Sequence, residues 1–529
     1  MTHTPASPSP SPHGSIDVSA TNKKGLSSGK VTLFSSIIIG ISVVAPAYSL
    51  SGALGPVSAE AGIYMPAVFL IGFIPMLLVA IGYRELNAAM PDAGTTFTWT
   101  SKAFGPYVGW MGGWALLVAT ILVLSNLAGI AVDFFYLFLS QIFSNPDIAD
   151  LAANNLVNIA TFIAFMAFGC YITYRGLDAT QKLQTILIIF QLLVLTLFSA
   201  VALYKAATGT GFANLSFNLE WFNPFGIDSF STLAASMSLV FFLYWGWDAV
   251  LTMNEETEGK HTTSGTAAVG TILTIVILYL FLSVATLSFA GTSEEGLGLG
   301  NPDNQENIFA ALSGPVLGSL GILMSIAVMV AALASLQSTA VSPARTLLAM
   351  GYYKALSPKF ARLSPKYQAP SYATIASCLI ATLFYVTMRF ISTSVLWDTI
   401  AALSLMVCLY YGGTAFACVW YFRKTSLKSG TAKFLNQFLL PLIGGLILVV
   451  FFIQTFFDSM DPAYGSGSEI GGIGLVFILS LVLLLLGLLV MVYQRIKRPD
   501  FFTGRVAMEV EHMLDLPEPE MGKTPTPIA

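Results

Sequence analysis

Charge is what this chain has least of. Of 529 residues, 24 are Lys or Arg and 28 are Asp or Glu, while 55% are apolar. A soluble domain is roughly 25% charged, so a water-facing fold of this size is excluded. Histidine and cysteine are equally sparse, at four each. His3, His13, His261 and His512 fall in tails or a loop, so no imidazole cluster offers a metal site, and no cofactor is expected. Cys170, Cys378, Cys408 and Cys418 lie inside apolar runs, where cysteine packs as a small hydrophobe. The net charge of -4 argues against nucleic-acid binding. There is no phosphate-cradling loop and no Ser/His/Asp arrangement. The longest polar stretches, 85–105, 205–229 and 291–315, are too short for a soluble domain, so an enzyme is not expected.

What is present is a series of long apolar runs. A bilayer span needs roughly 20 apolar residues. Twelve segments qualify: 31–54, 62–84, 106–140, 155–174, 181–204, 230–254, 265–290, 316–349, 371–388, 394–422, 435–457 and 470–494. With the N-terminus inside, 22 of the 24 cations fall on the cytoplasmic side, leaving Lys205 and Arg389 outside. This split predicts a multi-pass protein with an even number of spans and both termini cytoplasmic; the plasma membrane is its expected location. Residues 1–30 lack the apolar core of a signal peptide and read as a disordered cytoplasmic tail.

Two spans carry helix-breaking signals. Gly40, Ser42 and Pro46 interrupt the first, since proline suits the first turn of a restarting helix. Gly246, followed by Asp248, interrupts the sixth. The first span runs outward, so its second half starts with free N–H groups that suit a carboxylate. The sixth runs inward, so its first half ends with free carbonyls that suit an ammonium. The pair matches an amino-acid zwitterion; the competing reading is that both glycines serve close helix packing. Phe242, Tyr244, Trp245 and Trp247 surround the second break as candidate pocket walls. Asp248 has two readings, a proton carrier or an ionised cap on the inner half-helix. Asp133 and Asp398 are placed to line an outer pathway.

The order of motifs then becomes specific. Tyr83-Arg84-Glu85-Leu86, Pro91-Asp92-Ala93-Gly94-Thr95-Thr96-Phe97-Thr98-Trp99 and Ala103-Phe104-Gly105-Pro106-Tyr107-Val108-Gly109-Trp110 resemble the second-to-third-span signature of amino acid permeases of the amino acid-polyamine-organocation superfamily. Trp245-Gly246-Trp247-Asp248, Asn254-Glu255-Glu256-Thr257 and Ser342-Pro343-Ala344-Arg345 extend the resemblance over residues 30–495.

The resemblance implies an all-α membrane protein of the LeuT type, with twelve helices, two inverted five-helix repeats and broken helices 1 and 6. The repeats would be 31–204 and 230–422, joined by an extracellular loop at 205–229. Peripheral spans at 423–494 and a cytoplasmic tail at 495–529 would follow. It implies a small-molecule substrate taken up by alternating access. The carboxylate would be received at Gly40, Ile41, Ser42, Val43 and Val44, and the amino group between Phe242 and Trp245. Proton coupling is expected at Asp248. Gln191 stands where several relatives carry a lysine, so a lysine mechanism does not carry over. Sodium, the less favoured ion, would use Ser335, Ser338 and Thr339. The alternatives are a permease or exchanger for polyamines or other organic amines, and a transport-inactive membrane sensor, against which the short tails weigh.

Overall fold

The computed structural model describes residues 24, 31–175, 181–258, 262–391, 395–428 and 430–504. The expected tails, apart from Lys24 and residues 495–504, lie outside the described residues, as do Gly176, Lys260 and His261. Among the described residues, 11 helical stretches are long and apolar enough to cross a membrane. The first, Leu33–Ala89, is 57 residues long. At about 1.5 Å per residue it would reach about 85 Å, against a hydrocarbon core of about 30 Å, so it cannot run straight through. It contains α1 (Leu33–Val44), α2 (Pro46–Ala61) and α3 (Met65–Ala89), with a chain reversal at Gly62, whose φ is 54°. The sequence reads as two segments here, 31–54 and 62–84, and the structure shows one helical stretch because the turn at Gly62–Tyr64 is short and itself helical.

The chain continues through α4 (Thr96–Phe104), α5 (Pro106–Phe143), α6 (Asn155–Tyr174), α7 (Gln181–Ala207) and α8 (Phe230–Leu243). After α8 comes a 3-10 segment, Trp247–Glu256, then α9 (Thr263–Ala290), α10 (Ile308–Leu317) and α11 (Ile322–Tyr352). The remainder is α12 (Ser371–Met388), α13 (Val395–Phe422), α14 (Thr431–Phe434), α15 (Leu440–Asp458), α16 (Leu475–Lys497) and α17 (Pro499–Phe502). Glu469–Ile470 and Ile473–Gly474 pair as a small hairpin between α15 and α16. Neither α10 nor this hairpin has a periodic apolar signal long enough to read in advance.

The long helices are apolar on every side, as expected where one face meets lipid and the other meets protein. Small residues set the close approaches. A Cβ on Gly72 would collide with Val240 Cγ1, and one on Gly82 would touch Pro441 at 3.0 Å. The two interrupted helices pack against each other half by half: α2 against α8, and α1 against the 3-10 segment. Helices α9, α11 and α13 surround them. That arrangement places both interruptions in the protein interior.

Candidate functional site

The first interruption falls at Ala45, five residues after the expected glycine. Gly40, Ile41, Ser42, Val43 and Val44 all belong to α1 and are buried. Gly40 has a packing reason instead: a Cβ there would collide with Thr271 Oγ1. Ala45 adopts φ 48°, ψ 66°, left-handed values that break the ladder, and Pro46 opens α2 without needing a donor. Two carbonyls at the end of α1 are taken by hydroxyls. Ser49 Oγ donates to Val44 O at 2.5 Å and Ser335 Oγ donates to Val43 O at 3.1 Å. Among the described residues, no side chain caps the start of α2, so its first amides face the break with their partial positive charge.

The second interruption lies at Gly246, whose φ of 105° is a conformation that L side chains rarely adopt. α8 ends at Leu243, which leaves the carbonyls of Tyr244 and Trp245 outside its ladder. The Leu243 carbonyl accepts from Tyr279 OH at 2.8 Å, which ties the break to α9. Asp248 sits in the first turn of the 3-10 segment and is 3% exposed. Its Oδ1 accepts from Tyr411 OH at 2.8 Å, so α13 holds it in place.

The four candidate aromatics separate into two pairs. Tyr244 turns away from the break, donating to Phe69 O at 3.1 Å and packing on the rings of Phe73 and Tyr279. Trp247 is stacked on Tyr411 at 4.8 Å and edge-on to Tyr83, so it belongs to packing with α3 and α13. Phe242 instead meets Tyr48 of α2 edge-on, with ring centroids 5.9 Å apart. Trp245 lies beside Tyr410 without an aligned hydrogen bond. Tyr48, which gives no sequence signal beyond lying after Pro46, is buried, and its hydroxyl has no partner among the described residues. Buried polar groups are normally satisfied, so this hydroxyl stands out as unpaired beside the start of α2.

Ser335, Ser338 and Thr339 do come together with the first break. Ser42 Oγ and Ser338 Oγ are 3.0 Å apart, and Ser335 and Thr339 hydroxyls are 3.3 Å apart. Gln184 of α7 also reaches this cluster, donating through Nε2 to Ser338 Oγ. Gln191, two turns further along α7, is fully buried, and neither of its amide atoms has a partner among the described residues. It is therefore Gln184 that meets the α1–α11 junction, whereas the family resemblance points to Gln191.

A second cluster closes the end of the bundle where α1 begins. Lys24 Nζ lies 2.6 Å from both Asp92 Oδ2 and Glu255 Oε1 and close to the rings of Tyr352 and Tyr353. Asp92 also accepts from Tyr353 OH at 2.6 Å, Thr98 Oγ1 at 2.7 Å and the Gly94 amide at 2.7 Å. Burial alone would push its carboxyl up; Lys24 and these donors outweigh burial and hold it below the usual value. Beside it, Arg345 Nε donates to Glu256 Oε2 at 2.6 Å. Val31 and Thr257 form a parallel bridge that joins the entry to α1 with the 3-10 segment. The sequence displays these residues as separate motifs and gives no sign that they bind one another.

Two interrupted helices enclosed in a bundle of apolar spans are what the resemblance implies, and the comparison with known proteins agrees. The amino acid permease family matches residues 31–469. The chain belongs to that family. Similar proteins include the branched-chain amino acid permease BcaP of Bacillus subtilis, 27% identical over 43% of this chain and 48% of that protein. The arginine/ornithine antiporter ArcD2 of Lactococcus lactis is 21% identical over 76% of this chain and 80% of its own length. The low-affinity putrescine importer PlaP of Escherichia coli is 22% identical over 43% and 47%. The match to the BcaP proteins of Bacillus subtilis and Lactococcus lactis spans about half of their length. The family consists of transporters, and this permease is accordingly no enzyme.

The two acids expected along an outer route each have a defined setting in the structure. Asp398 is buried and accepts from Ser466 Oγ at 2.7 Å, fastening the loop after α15. Asp133 lines a cavity of about 450 Å³ with Asp150, Asn307 and Arg389, the last of which is one of the two cations expected outside.

Proposed function

We propose that this permease takes up an amino acid across the plasma membrane by alternating access, with proton coupling at Asp248. Its twelve spans would form two inverted five-helix repeats with both termini in the cytoplasm. The observation that carries this reading is the pair of helix interruptions, one at Ala45–Pro46 and one at Gly246, that face each other within the bundle.

The uncapped start of α2 supports binding of a carboxylate, and the carbonyls of Tyr244 and Trp245 support binding of an ammonium. The apolar wall of Tyr48 and Phe242 supports a neutral side chain. A branched-chain amino acid permease among the relatives agrees with that preference. Gln184 weighs modestly against sodium, because its amide occupies one of the two acceptor positions of Ser338 Oγ. A polyamine is the second reading, favoured by the putrescine importer among the relatives. A diamine would leave the amides at the start of α2 unused.

Purified permease in vesicles, screened by thermal shift against amino acids and diamines, tests the substrate. A ligand at 100 times its dissociation constant stabilises by about 2.7 kcal/mol. Stabilisation by diamines alone would overturn the amino-acid reading. Asp248→Asn tests the coupling: proton-driven uptake should be lost, and unchanged uptake would remove the proton-carrier role.

A further inference from the structure

An apolar cleft runs along the side of the bundle between α5, α11, α12 and α16. It encloses about 420 Å³, within the range of pockets that hold small molecules. On α5 it extends from Trp110 to Leu122, which at about 1.5 Å per residue is about 18 Å. Half of a hydrocarbon core is about 15 Å, so the cleft has the length of one leaflet. Its rim is open: Ile380, Leu383 and Leu486 are 50%, 69% and 45% exposed. Its back is fixed, because Trp110 Nε1 donates to Gly487 O at 3.1 Å and Trp114 Nε1 donates to Leu483 O at 2.9 Å. The polar side chains on its wall are satisfied, Ser377 by Ala373 O and Thr387 by Leu383 O.

Cations stand at one end. Arg495, five residues beyond Val490 of the cleft wall, lies 5.5 Å from the Tyr107 ring, and Tyr107 is one turn before Trp110. Lys359 is exposed next to Phe360, another wall residue.

We propose that the cleft binds an anionic phospholipid, one acyl chain lying between α5 and α12 and the phosphate resting against Arg495 and Lys359. An apolar slot one leaflet long with cations at its mouth complements a molecule that is apolar along its tail and anionic at its head. The occupant touches α11 through Leu347 and Met350, just beyond Arg345, whose ion pair holds the 3-10 segment.

Native mass spectrometry of the full chain, released from micelles containing equal phosphatidylglycerol and phosphatidylcholine of matched chains, tests this. Phosphatidylglycerol adducts should survive activation at least about tenfold more than phosphatidylcholine adducts, because both carry a phosphate but only phosphatidylcholine brings a quaternary ammonium that Arg495 and Lys359 repel. Ile380→Trp should remove most of the tightly held adduct, and Arg495→Gln should reduce the preference for the anionic lipid. Ile277→Trp, at a 71% exposed position on α9, serves as the control and should change neither. Thermal melts confirm that each variant is folded. Equal retention of both lipids, an adduct unaffected by Ile380→Trp, or a dimer that excludes lipid would each overturn the proposal. These readouts do not depend on the substrate, so their failure is distinct from failure of the transport reading.

Discussion

Breaking the pair between Arg345 and Glu256 should cost far more than breaking a surface ion pair. Both side chains are 5% exposed, and two guanidinium nitrogens converge on Glu256 Oε2. An exposed pair contributes about 0–1 kcal/mol. Removing one member of a buried pair leaves a charge without its counterpart and costs about 3–5 kcal/mol, whereas replacing both is often neutral. Glu256→Gln and Arg345→Met should therefore each destabilise by about 3 kcal/mol or more, with the double variant regaining most of the loss. The assay is chemical denaturation of purified protein in mild-detergent micelles, followed by tryptophan fluorescence, as a double-mutant cycle. Single variants within about 1 kcal/mol of the parent, or losses that simply add, would refute the reasoning.

Three further outcomes follow from the geometry. The Lys24–Asp92 contact sets a pH window: burial opposes ionisation of Asp92, but Lys24 and its hydroxyl donors hold it below its ordinary 3.8, so its contribution is present above about pH 4 and lost as pH falls through the depressed value. Burial lowers the Lys24 ammonium, but Asp92 and Glu255 more than restore it above its ordinary 10.5, so its contribution is present below that value and lost only above it. Melts of the parent and Lys24→Met should differ most near neutral pH and converge in acid, where Asp92 and Glu255 are protonated and no longer need the Lys24 cation. Gly40→Ala should lose about 1–3 kcal/mol through contact with Thr271, and Thr271→Ala in the same chain should regain part of it, read by thermal stability. Gly246→Ala should lower the melting temperature further than Gly40→Ala, because its φ of 105° is unfavourable to a side chain and its Cβ would lie 2.8 Å from Val43 Cγ1.

The membrane-spanning character was legible because apolar runs of this length have few other uses. Pro46 and Gly246 were legible as breaks for backbone reasons that hold wherever they occur. The exact position of the first break was not, since Ala45 has no local signal for its left-handed backbone; surrounding helices impose it. Gly40 stands out in the sequence for its conformational freedom, when the contact with Thr271 of α9 decides its identity. Long-range pairings such as Lys24 with Glu255, 231 positions apart, have no periodic signature at all. The same holds for Gln184 and Ser338, which meet only because α7 and α11 cross there.

The two interruptions are anchored to different neighbours, and this bears on how the site can open. The first is held by Ser335 and Ser338 of α11, the second by Tyr411 of α13 and Tyr279 of α9. At the end where α1 begins, however, Val31 N donates to Glu256 O at 3.3 Å and Glu258 N donates to Val31 O at 2.8 Å. These bonds join the entry of α1 to the 3-10 segment directly. At that end the joined unit meets its surroundings through side chains: Glu255 pairs with Lys24, Glu256 pairs with Arg345, and Asn254 Nδ2 donates to Asn87 Oδ1 at 2.6 Å and to Asp92 O at 3.2 Å. Backbone partners within one unit part only if the unit itself comes apart, whereas side chains at its edge can turn toward water as it moves. Widening that end is therefore expected to carry α1 and the 3-10 segment together and to break these side-chain contacts first. A disulfide between α1 and the 3-10 segment should leave uptake intact, whereas one between the 3-10 segment and α11 should abolish it until reduced.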